Sequence, residues 1–147
     1  MVTTASRRIV QRVPALHVLA LLAEGRLPRL APDVDSMGVT GPSRAATLSE
    51  VSALTWLLCG PVASPYGVAA TWDRFDFHTG TDVREIVHVA GSTRAVCALV
   101  TCIADQAKSE GKRAVGVIDV ENVAMGNALG RLGATKATRY FWEDRRP

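Results

Sequence analysis

Nothing in this chain is apolar and uncharged for long enough to read as a membrane-spanning helix. The run that comes nearest, Val13 to Ala23, has 11 residues and contains Pro14 and His17, against roughly 20 required. Arg7, Arg8 and Arg12 precede it, as in a secretory leader. Pro14 and His17 interrupt the apolar stretch, however, and Glu24 stands where a small-residue cleavage site belongs, so the segment reads as an amphipathic helix. Cysteine is scarce: Cys59, Cys97 and Cys102 cannot all pair, and their spacing matches no metal motif, which points to buried thiols in a reducing compartment and to no bound metal. Internal repeats and low-complexity tracts are missing as well. A basic groove is also lacking. Residues 13–138 hold eleven basic and twelve acidic side chains, and the formal charge of +3 comes from the ends, where Arg7, Arg8, Arg12, Arg139, Arg145 and Arg146 lie. A near-neutral body argues against a nucleic-acid partner.

What is present is enough for one core. The 147 residues, 48% hydrophobic and 21% charged, fit one folded domain over 1–147, with 1–12 and 143–147 as basic ends that are flexible or dock on a partner. Gly and Pro punctuate the elements. A first strand is expected over 7–13 and a helix over 14–24 that ends at Gly25. A long connection follows over 26–42, then a short helix over 43–52. Strands over 54–59, 67–73 and 82–89 form an antiparallel meander.

The period then changes. Val96, Leu99, Val100, Ile103 and Ala107 recur at helical spacing, Ser92 or Thr93 caps that helix, and Gly111 ends it. A nearly all-apolar strand over 114–120, a helix from Glu121 or Asn122 to Leu132 and a last strand over 135–143 complete the order. The fold class is therefore α/β (α+β): a mixed, mostly antiparallel sheet flanked by helices, with a right-handed β-α-β crossover at 82–120.

This order, with Asp119-Val120-Glu121-Asn122 leading to Gly133-Ala134, resembles the GNAT superfamily of acyl-CoA N-acyltransferases. Asn122 and Gly133 match the family's spacing from the fifth strand to the end of the fourth helix. The resemblance implies that acetyl-CoA or another acyl-CoA lies between the fourth and fifth strands, lined by Ile86 to Val89 and Val117 to Asp119. Val87 and Val89 then belong to the cofactor site. It implies a pyrophosphate loop over Gly91 to Ala98, bringing in Arg94, Ala95, Val96, Cys97 and Ala98, with Asn122 beyond. Glu85 matches the carboxylate that deprotonates an acceptor amine, and His88 is the alternative base. The acceptor is an amine-bearing small molecule or protein.

Three departures mark this sequence. The loop's two glycine positions hold Cys97 and Leu99, while its Arg is kept as Arg94. The tyrosine that protonates the leaving thiolate falls at Leu129, with Tyr140 as its substitute. Only one C-terminal strand is expected where the family has two. The sequence is also similar to small GNAT-like proteins of short-tailed bacteriophages in Asn122, Leu129, Gly133 and Ala134. That similarity implies an alternative role as a non-catalytic virion assembly protein that contacts other chains through its basic termini. The enzyme is expected in the cytoplasm, the alternative in a virion.

Overall fold

The computed structural model describes residues 9–27, 52–77, 79–117, 135–136 and 141–144. Among these residues seven strands form one sheet in the order β1-β2-β3-β4-β5-β7-β6. They are β1 (Val10–Val13), β2 (Thr55–Cys59), β3 (Gly67–Asp76), β4 (Thr81–Gly91), β5 (Arg113–Val117), β6 (Thr135–Lys136) and β7 (Phe141–Glu143). Every neighbouring pair is antiparallel except β4 and β5, which run parallel and are joined by a helix, as the expected crossover requires. The helices are α1 (Ala15–Ala23) and α2 (Thr93–Ser109). None among the described residues is long and apolar enough to cross a membrane.

The apolar stripe of α2 explains its seat. Val96, Leu99, Val100, Ile103 and Ala107 are all buried, packed on Leu57, Ala69, Ile86, Val89 and Ala114 of the sheet. Each such aliphatic side chain contributes about 1.5–3 kcal/mol when removed from water. Ser92 caps the helix, its Oγ accepting the Ala95 N–H at 3.2 Å. On the opposite face α1 buries Val18 and Leu21 against Trp56, Leu58, Val68, Ala70 and Ala90. The Nε2–H of His17 donates to the Val62 carbonyl at 2.6 Å and ties α1 to the turn after β2.

Two readings of the sequence need correction. The residues after 73 were expected to be a connection, yet β3 runs to Asp76 and β4 starts at Thr81. Asp76 closes this turn: its carbonyl accepts the Gly80 N–H at 2.8 Å and its carboxylate accepts the Thr79 hydroxyl at 2.8 Å. The last strand is likewise two strands. β6 and β7 pair antiparallel, with Thr135 opposite Glu143, and β7 lies between β6 and β5. The seemingly missing strand is present because the run over 135–143 folds back on itself. The expected helices over 43–52 and 121–132 lie outside the described residues or at their margin, as does the connection over 28–42.

The hairpin of β3 and β4 is clamped to the end of α2 by charge. Arg84 binds Asp73 through Nε at 2.8 Å and Glu110 through Nη1 at 2.8 Å, and Lys112 reaches Asp73 at 2.7 Å. The Arg84 guanidinium in the first place lowers the Asp73 carboxyl to about 2. A carboxyl depressed on folding stabilises the fold above its unfolded value, near 4, and loses that contribution as pH falls toward 2. Because Asp73 is more than a third exposed, the contribution is about 1 kcal/mol after allowance for solvent screening. Urea melts at pH 5 and pH 2.5 should show Asp73→Asn losing about 1 kcal/mol less stability on acidification than the parent.

Candidate functional site

The register of β3 against β4 builds the site. Ala70 opposes His88 but Thr71 opposes Ile86, so Val87 is an extra residue that forms a β-bulge. In a regular strand, residues three apart face opposite sides. The bulge resets the alternation and puts Glu85 and His88 on one face, the face that carries α1. Trp56, Ala70 and His88 form one cross-strand row there, and the rings of Trp56 and His88 stack with centroids 6.0 Å apart. Trp72 and Glu85 form the next row, the indole N–H donating to Glu85 Oε1 at 2.5 Å. Arg74 donates to Glu85 Oε2 at 3.4 Å and also pairs with Asp76. The sequence pattern put Glu85 in line with Val83, Val87 and Val89. In the structure Val89 packs under α2, on the other face, and Val87 packs with the α1 cluster.

On its other side β4 parts company with β5. Their ladder runs only from Val83↔Arg113 to Ile86↔Gly116, while β4 continues to Gly91. In an antiparallel ladder alternate backbone groups point away from the partner strand. Those of Val87–Gly91 that point away from β3 meet no β5 partner among the described residues. Among the described residues this leaves an unpaired stretch of β4, a slot that starts beside Glu85 and ends at the N-terminus of α2.

That end of the slot is tightly built. Gly91 has φ 135°, and a Cβ there would collide with the Tyr66 carbonyl oxygen and lie 2.6 Å from Gly67 Cα. Gly67 in turn lets Ala95 approach, since its own Cβ would lie 2.7 Å from that of Ala95. The Ser92 N–H donates to Tyr66 at 3.1 Å, and the Val96 N–H to Ser92 at 2.9 Å. Helix α2 therefore begins almost directly at the strand's end: Arg94, Ala95, Val96, Cys97 and Ala98 are its first turns rather than a loop. Ala95 and Val96 face the core and their amides are already engaged, whereas Thr93 and Arg94 are exposed at the helix tip. Leu99 is fully buried in the cluster under the helix, and Cys97 is half-buried. Burial, followed by the charge of Asp105, raises the Cys102 thiol, which suits packing better than nucleophilic work.

Asn122 and Tyr140 lie outside the described residues, with Leu129, Gly133 and the terminal arginines. Among the described residues no three His, Cys, Asp or Glu side chains are grouped to hold a metal ion. A cavity of about 460 Å³ lies on the α2 face between that helix and β1 to β3, lined in part by Arg12, Thr71 and Gln106. It contains none of the candidate catalytic or cofactor-binding residues read from the sequence.

An open sheet with one parallel pair, parted beyond a bulge and leading into a helix N-terminus, is the GNAT acyltransferase fold. Solved structures share it over nearly the whole chain. An N-acetyltransferase of Staphylococcus aureus Mu50 is 10% identical over 94% of each chain, with a TM-score of 0.62. The putative acetyltransferase yncA of Salmonella typhimurium, solved with its cofactor acetyl-CoA, is 15% identical over 94% of this chain and 93% of that one, with a TM-score of 0.63. The aminoglycoside N-acetyltransferase AAC(6')-Ib11 is 14% identical over 96% and 98%, with a TM-score of 0.59. No protein-family model matches the sequence, and no curated protein does.

Proposed function

We propose that this protein is an acyl-CoA N-acyltransferase acting on an amine. The observation that carries this reading is the early end of the β4–β5 ladder at Ile86↔Gly116, with a bulge and a carboxylate at the point of parting. The chain fits an acyl-CoA in three respects. The outward backbone groups of Val87–Gly91, Val87 and Val89 among them, suit the amides of a pantetheine arm. The exposed tip of α2, with Thr93 and Arg94, suits a pyrophosphate, because orphan amides and the helix dipole favour negative charge. The side chain of Leu99 is taken up by the core cluster under α2. The thioester, when bound, supplies the acyl group: its C–S bond breaks as a C–N bond to the acceptor forms.

Glu85 takes one proton from the acceptor ammonium, directly or through a water, and passes it to solvent. The second proton lost by the nitrogen goes to the departing sulfur, with Tyr140 the residue proposed to relay it. His88, on the same face as Glu85, is the second base within this reading. The other reading, a virion assembly protein, draws on terminal arginines outside the described residues, and no structural observation favours it.

Thermal denaturation with acetyl-CoA and with free CoA tests the proposal. Ligand at a hundredfold its dissociation constant adds about 2.7 kcal/mol, which corresponds to a rise in Tm of roughly 5–11 °C for a chain of this size. A flat response at millimolar CoA would overturn the enzyme reading.

A further inference from the structure

Trp72 is a large aromatic residue that neither core explains. It is 45% exposed and belongs to neither buried cluster. On an open strand face its indole N–H has water to bond with, yet it reaches across the ladder to its register partner and donates to Glu85 Oε1. The far oxygen, Oε2, takes only the long contact from Arg74 at 3.4 Å. On its β5 side Glu85 is paired in register with Val115, an aliphatic residue that offers no donor. The terminal torsion of a glutamate is broad and two-fold, so an unheld carboxylate would turn freely. The shorter bond, from Trp72, is therefore the one that sets the carboxylate plane. Each oxygen has two lone pairs and accepts one donor among the described residues, which leaves a lone pair on each for a proton arriving at the mouth of the slot.

We infer that Trp72 is the positioning residue of this site, holding Glu85 so that its unused lone pairs serve the acceptor amine. The inference rests on the acyl-transfer reading above. It assigns to Trp72 an effect on turnover and on the behaviour of Glu85, with little effect on acyl-CoA binding. The other charged or titratable groups that the register places on this face among the described residues are Arg74 and Asp76 from β3, His88 from β4, Arg113 from β5 and Glu143 from β7.

Trp72→Phe keeps a ring of similar bulk and deletes the donor. In the full chain, kcat should fall about tenfold while KM for acetyl-CoA stays within about twofold. A second readout needs no activity. Of the three indole N–H signals in a ¹H–¹⁵N spectrum, the one lost in Trp72→Phe belongs to Trp72. Its position reports the bond to Glu85, so it should move when Glu85→Gln exchanges a charged acceptor for a neutral one, while the other two indole signals stay in place. A parent that binds acetyl-CoA but whose Trp72 signal is unmoved by Glu85→Gln overturns the role of Trp72 alone. An unchanged kcat in Trp72→Phe does the same. A parent whose Tm is untouched by acetyl-CoA overturns the acyl-transfer reading and the catalytic role of Trp72 with it, whatever the indole signal does.

Discussion

Glu85→Gln is expected to lower the rate of acyl transfer by about 10²–10⁴-fold, the usual span for loss of a general base. Gln keeps the shape and an oxygen that can accept the Trp72 N–H, so the fold and the slot should survive. The rise in Tm with acetyl-CoA should therefore match that of the parent. Turnover followed through release of free thiol, alongside the thermal shift, separates lost chemistry from lost binding. His88→Gln measured beside it decides between the two bases on this face: the larger loss marks the group that receives the proton. A Glu85→Gln variant as fast as the parent would remove Glu85 from the mechanism.

The second large effect is expected at Gly91. Gly80 and Gly91 both have positive φ, at 68° and 135°, but they differ in surroundings. Nothing lies within 4 Å of a Cβ at Gly80, so Gly80→Ala should cost only the left-handed penalty of about 1–2 kcal/mol. At Gly91 the Cβ would strike the Tyr66 carbonyl, which also accepts the Ser92 N–H just ahead of α2. Gly91→Ala should therefore cost about 3 kcal/mol or more and shift the tip of α2 away from β3. Urea denaturation of the two variants measures the contrast. If Gly91→Ala costs no more than Gly80→Ala, the close packing of the strand end against Tyr66 and Gly67 is not what seats the helix.

Much of the scaffold could be read from periodicity, because its determinants are local. The stripe from Val96 to Ala107 and the capping Ser92 gave α2 to within a residue or two. The parallel pairing of β4 with β5 followed from the rule that a strand–helix–strand crossover joins parallel neighbours. The site was less legible. Glu85 and His88 appeared only as alternative bases, and the bulge that brings them to one face carries no glycine or other local mark at Val87. Trp72 was passed over as an anchor of core or edge, since its value lies in a cross-strand register that no single segment encodes. The hairpin of β6 and β7 escaped for a related reason: two strands of two and three residues are too short to show a period, and their pairing is a matter of tertiary fit.

The parted ladder also divides the sheet mechanically. Among the described residues, four rungs and the packing of α2 connect the leaf made of β1 to β4 with the shorter leaf of β5, β7 and β6. Spreading the two leaves at the mouth flexes those few rungs and leaves the cluster under α1 whole. A guest lodged there would act as a wedge that stiffens the spine of the sheet, so its grip would be felt across the small leaf as well as at the residues it touches.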